Sequence, residues 1–130
     1  MKELKNVVCH LDKYDVDVNQ YLTYSQIQQI VNAVTHFDTW AERETNIDVL
    51  VLYHATNLTK EDIENIGHDA IVQSGLMDEV RLNIYNLYQI YDGIEYTESI
   101  ARSLVMISKQ LPALMEESLK KVGLNAIGEK

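Results

Sequence analysis

The sequence predicts a mainly α fold: five to six helices in a compact bundle, with a small N-terminal β-hairpin. Three observations carry that expectation. Hydroxyl residues suited to capping stand before helical stretches at Thr23, Thr39 and Thr59. Apolar residues then recur at spacings of three and four. The chain holds one proline and five scattered glycines, which punctuate helices and do not suit a glycine- or proline-rich disordered chain. At 130 residues the chain has the size of one domain. Its expected extent is residues 1–123, followed by a flexible tail over 124–130.

The hairpin is expected over about residues 4–18. Leu4 to Leu11 forms the first extended run and Tyr14 to Val18 the second, with Asp12-Lys13 as the turn. Alternation places Tyr14, Val16 and Val18 on one face and Asp15 and Asp17 on the other. A lone hairpin is marginal in water, so it must pack on helices or pair with another chain. Thr23 with Gln26 fits a capping box, and Ile27, Ile30, Val31, Val34 and Phe37 follow at helical spacing. Thr39 with Glu42 opens the next helix. Its run Ile47–Ala55 is apolar almost all round, which suits a buried central helix, although its β-branched content would also suit a buried strand. Thr59 precedes Lys60-Glu61-Asp62, with acids where the helix dipole favours them. That short helix ends at Gly67, and a further turn over His68–Ser74 closes at Gly75. A long helix is expected over Met77–Asp92, broken by Gly93. Another starts near Tyr96, with Pro112 kinking it or opening a short last helix, and Gly123 as its stop.

The net charge is −9, from 11 Lys and Arg against 20 Asp and Glu. Acid is concentrated in the middle of the chain: residues 58–93 carry two bases and seven acids, whereas residues 94–130 carry five of each. A field of this sign repels phosphate backbones, so direct duplex nucleic acid is excluded as a partner. No run reaches the ~18 apolar residues of a membrane span, so no membrane partner is expected either. The single cysteine, Cys9, cannot form an internal disulfide, and no apolar stretch suited to a signal peptide follows the N-terminus. Both features fit a reduced, cytosolic product.

Catalytic signatures are missing. His10, His36, His54 and His68 lie far apart, with no zinc-type spacing. Cys9 and His10 are neighbours, but on a strand they point to opposite faces. No nucleophile elbow or phosphate-cradling glycine loop occurs. Glu42, Glu44, Asp48, Glu61, Asp62 and Glu64 read as a solvated face. The expectation is therefore no catalytic, cofactor-binding or metal residue, and no enzyme.

What remains is contact chemistry. Eight tyrosines stand against one phenylalanine. Tyr85, Tyr88 and Tyr91 recur every three residues, and read as helix packing with hydroxyls at the edge, as a protein-binding face or as part of a ligand pocket. Ile100, Leu104, Ile107, Leu111 and Leu114 follow at spacings of 4, 3, 4 and 3, a heptad-like seam suited to another helix. The candidate interface is thus Tyr85, Tyr88, Tyr91, Ile100, Leu104, Ile107 and Leu111. Its plainer alternative is that the seam packs inside the monomer.

Tyr21-Leu22-Thr23-Tyr24-Ser25-Gln26-Ile27 after the hairpin, Ile66-Gly67, Gly75-Leu76-Met77-Asp78-Glu79-Val80, and Lys109-Gln110-Leu111-Pro112 occur in that order. Over roughly residues 5–120 this arrangement resembles small proteins of tailed bacteriophages and prophages of Gram-positive bacteria, often encoded among the virion-morphogenesis genes. The resemblance carries no catalytic residues. It implies a non-enzymatic protein of virion assembly, in a head–tail, neck or tail accessory role, in the host bacterial cytoplasm or the virion. Its partners would be other copies of itself or other phage structural proteins. An alternative of a different class is an acidic inhibitor that binds a host defence or nucleic-acid-processing protein.

Overall fold

The computed structural model describes residues 7–128, including their side chains except those of Leu114 and residues 118–128. Residues 4–6 of the expected hairpin, residues 129–130 of the expected tail and the side chain of Leu114 in the seam lie outside the described residues. Among the described residues there are two strands, β1 (Val8–Leu11) and β2 (Val16–Asn19), and six helices. The helices are α1 (Tyr24–Val34), α2 (Trp40–Ala55), α3 (Lys60–Ile66), α4 (His68–Gln73), α5 (Leu76–Leu82) and α6 (Tyr88–Gly128). The fold is mainly α, with an antiparallel two-stranded hairpin at its start. The chain divides into two compact units, residues 1–95 and 96–130, where the sequence suggests one domain over 1–123.

In the first unit the strands pair with Leu11 opposite Val16 and Val8 opposite Asn19. The turn spans Asp12–Asp15, two residues longer than expected. Tyr14 and Asp15 donate their amides back to Leu11 and Asp12, and Asp15 takes a positive φ of 52°, a conformation that Asp tolerates better than most residues. Val16 and Val18 point into the core, as alternation requires, and the Tyr14 hydroxyl donates to the Ser74 carbonyl at 2.8 Å. The outer edge of β2 is covered in part by Thr56 and Asn57, which bridge to Val18 and Asp17.

The cap signals translate directly. Thr23 accepts from the Gln26 amide, whose side chain accepts from the Thr23 amide in return, at 3.1 and 3.0 Å. Thr59 and Asp62 form the same reciprocal pair. Helix α2 is a helix and not a strand, and it is buried along one stripe only. Ile47, Asp48, Val51, Leu52 and Ala55 are buried, while Leu50 is half-buried and Tyr53 exposed. Leu50 and Val49 line a cleft of about 330 Å³ with Tyr53 and Ile63, so the segment does not form a centre enclosed on all sides. Gly75, in the left-handed region at φ 87°, turns the chain between α4 and α5.

The expected helix over Met77–Asp92 is two elements. After Leu82 the backbone leaves the helical ladder because tertiary hydrogen bonds replace it. The Tyr85 amide donates to the Gln20 carbonyl at 2.8 Å. The Asn86 side chain accepts from the Leu22 amide and donates to the Leu22 carbonyl. Conversely, Gly93 does not break α6. A Cβ at this position would sit 2.8 Å from a methyl of buried Val31, so glycine permits close approach of α6 to α1.

In the second unit, α6 runs through Pro112 and Gly123 as far as Gly128, so residues 124–128 are helical where the sequence places the start of a tail. Proline removes one backbone hydrogen bond, and the helical backbone continues on both sides of it. Every described side chain from Glu117 back to Ser99 is exposed.

Candidate interaction site

The second unit presents the expected seam in full view. Ile100, Leu104, Ile107 and Leu111 retain 43%, 60%, 53% and 45% of their surface. At about 100° per residue, these four and Met115 fall within a sector of roughly 80° of the helix circumference. The charged residues Glu98, Arg102, Lys109 and Glu116 gather on another side, where Glu98 and Arg102 form a pair one turn apart at 3.9 Å. This is an amphipathic helix whose apolar stripe is open to solvent. Covering four half-exposed aliphatic side chains is worth on the order of 1 kcal/mol each.

The three tyrosines do not act as one stripe. Tyr85 lies in the connection before α6, Tyr88 is the first residue of α6, and Tyr91 follows almost a turn later. The Tyr85 hydroxyl accepts from the Gln20 side chain at 3.0 Å, and its ring meets the edge of Tyr21 at 5.3 Å. Tyr85 and Tyr88 open, with Tyr21 and Tyr24, onto a surface cleft of about 660 Å³. Tyr21 and Tyr24 were missed by spacing alone, because more than 60 residues separate the two pairs. Tyr91 instead donates to the Glu44 carboxylate at 3.1 Å. Burial, reinforced by that carboxylate, pushes its pKa up to about 12, so it stays protonated.

Beneath Tyr91 lies a polar network that sequence spacing did not reveal. Asp48, expected on a solvated face, is buried with 5% of its surface exposed. One carboxylate oxygen faces the Arg81 guanidinium and the other accepts from His68 Nε2 at 2.8 Å. Arg81 also reaches Glu44 at 3.7 Å. Its pKa is raised, because these carboxylates outweigh the opposing and individually largest effect of burial. Four helices, α2, α4, α5 and α6, contribute to this network. Each carboxylate is matched by a donor, which is what allows Asp48 to be buried. An acid inside an otherwise apolar run, Ile47-Asp48-Val49, was the available signal.

His10 lies in a separate surface cluster, with Nδ1 2.6 Å from Asp17 and Nε2 3.4–3.6 Å from Asp15 and Asp12. Among the described residues no group of three or more His, Cys, Asp or Glu is placed to hold a metal ion. Cys9 is partly buried opposite Val18. Among the described residues no helix is long and apolar enough to cross a membrane. No family model matches the chain, and no curated protein or solved structure is significantly similar to it.

Proposed function

We propose that this chain is a non-enzymatic phage protein that acts through protein–protein contacts in virion assembly. The observation that carries the reading is the open apolar stripe Ile100, Leu104, Ile107 and Leu111 on residues 96–117. Most helical stability in proteins comes from packing of an amphipathic face, so this helix gains stability when the stripe is covered. The tyrosine-lined cleft of residues 1–95 adds a second surface of the composition that interfaces favour. The virion setting comes from the resemblance to phage and prophage proteins.

The test is made in the phage or prophage that encodes the chain. Its coding sequence is deleted and resupplied as wild type or as Leu104→Glu, and assembled particles are counted by electron microscopy. Wild type is expected to restore particles, and Leu104→Glu to leave heads and tails unjoined or incomplete. Normal particle yield after the deletion would refute the assembly role. A salt-sensitive complex of residues 1–95 with a host protein would then favour the acidic-inhibitor reading.

A further inference from the structure

The tyrosine-lined cleft of residues 1–95 has a floor that is already fixed. The Tyr85 amide donates to the Gln20 carbonyl, and the Asn86 side chain holds both the amide and the carbonyl of Leu22. The two walls, residues 20–24 and 85–89, are therefore tied together before anything binds, which lowers the ordering cost of binding. Above that floor Tyr21, Tyr24, Tyr85 and Tyr88 each keep more than half of their surface exposed. At about 660 Å³ the cleft has the size of a ligand site.

The hydrogen-bonding inventory of the lining is one-sided. Apart from the phenol oxygens of Tyr21, Tyr24 and Tyr88, its side-chain acceptors are taken. Thr23 Oγ1 accepts from the Gln26 amide, Asn86 Oδ1 from the Leu22 amide, Gln89 Oε1 from Asn86 Nδ2, and the Tyr85 hydroxyl oxygen from Gln20 Nε2. The donors are not taken. Among the described residues, the hydroxyl protons of the four tyrosines and Gln89 Nε2 meet no protein acceptor. Such a lining suits a ligand with apolar faces and carbonyl oxygens but few N–H groups of its own. Proline meets all three conditions, since its ring is apolar and its backbone nitrogen carries no proton. A run of prolines is already extended as a left-handed polyproline helix, and aromatic grooves seat that helix. A sugar suits the lining less, because its hydroxyls donate as well as accept. Stacked bases need basic neighbours, and no Lys or Arg lines the cleft. Helices α1 and α6 begin at its rim with Tyr24 and Tyr88, and their positive dipole ends favour carbonyl oxygens over a bare cation there. Charge decides what flanks the prolines. Residues 1–95 hold six Lys and Arg against sixteen Asp and Glu, a net −10. Lys or Arg on either side of the run is drawn to that surrounding field.

We infer that the cleft binds a proline-rich segment of another protein, in the polyproline conformation and flanked by Lys or Arg. The inference rests on the reading of this chain as a contact protein and names the partner class of its second surface. Amide NMR of the full chain tests it, with a peptide of about ten prolines between lysines as the probe. A Gly-Ser peptide of the same length and the same lysines is the control. The expected result is saturable shifts at Tyr21, Tyr24, Tyr85 and Tyr88, with the Gly-Ser peptide binding about tenfold more weakly or less. Tyr24→Phe keeps the ring and removes one donor, and should weaken binding about two- to tenfold, the worth of one hydrogen bond. Tyr88→Ala removes ring and donor together and should weaken it further. Neither side chain has a hydrogen-bond partner among the described residues, so circular dichroism should stay unchanged. Absence of saturable shifts overturns the inference, as does equal binding of the Gly-Ser peptide, which would leave charge alone. Affinity unchanged in both variants places the peptide elsewhere and overturns it too. Shifts at the same tyrosines with a neutral glucose trimer, and none with the proline peptide, would make the cleft a carbohydrate site instead. None of these outcomes touches the particle count, which decides the assembly role separately.

Discussion

Substituting Gly93 by alanine sets two effects of opposite sign against each other. In a helix interior, alanine is favoured over glycine by about 0.5–1 kcal/mol, so an uncrowded site would gain stability. At Gly93 the new Cβ would lie 2.8 Å from the Cγ2 methyl of Val31, against the 3.5–4.0 Å of a comfortable carbon contact. Val31 is 2% exposed and sits inside α1. A β-branched side chain there has essentially one rotamer, so it cannot swing aside. Overpacking of this kind costs about 1–3 kcal/mol. At the midpoints of the two ranges the clash outweighs the propensity, and Gly93→Ala should lose about 1 kcal/mol. Urea unfolding followed by circular dichroism should show a lower midpoint with unchanged slope. Repeating the substitution in a Val31→Ala background makes the reasoning specific. With both valine methyls gone, the added Cβ has room, and Gly93→Ala should stabilise that background by about 0.5–1 kcal/mol. The same loss in both backgrounds would mean that Gly93 serves the backbone and not the approach of α6 to α1. A gain in the native background would refute the contact altogether.

Three further outcomes follow from the first unit. Leu52→Ala, at a fully buried site, should cost about 2–5 kcal/mol, and Leu50→Ala clearly less because Leu50 is half-buried; equal losses by denaturant titration would contradict the one-sided burial of α2. His10 should titrate above its usual 6.5, because its hydrogen bond to Asp17, supported by charge from Asp17, Asp12 and Asp15, favours the protonated ring over the opposing effect of burial. The stability it lends is therefore fully present below pH 6.5 and is lost as pH rises through the folded value; NMR titration of Asp17→Asn should move the midpoint down, and an unmoved midpoint would remove Asp17 as the cause. Tyr91, held near 12 by burial and Glu44, should ionise near 12 in the absorbance titration difference between the native chain and Tyr91→Phe, with stability lost from about pH 10 to 12 as the unfolded chain releases its proton first. A Tyr91 phenol that ionises near 10 would contradict the Tyr91–Glu44 contact.

Much of the architecture was legible because it depends on local signals. Thr23, Thr39 and Thr59 cap α1, α2 and α3, as their hydroxyls and spacing require. Val16 and Val18 turn inward by alternation alone. The errors arose where distant residues override local preference. Gly93 reads as a stop until Val31, 62 residues earlier, is known to lie against it. The helix after Gly75 ends at Leu82 because Gln20 and Leu22 take the hydrogen bonds of Tyr85 and Asn86. Asp48 reads as solvated until Arg81 and His68 are brought to it across other helices. The seam from Ile100 to Leu111 was legible as a pattern, since heptad spacing is local. What covers it was not, because that depends on a surface outside the sequence window.

The exposed stripe is the centre of the account, and the mass of the chain in solution tests it most directly. Sedimentation equilibrium over a wide concentration range should give an associating species heavier than 14.9 kDa, and Leu104→Glu should return it to the mass of one chain while the thermal unfolding of residues 1–95 persists. A wild-type chain that stays at 14.9 kDa throughout, with Leu104→Glu lowering the stability of the whole fold, would contradict it and make the stripe part of the monomer's own packing.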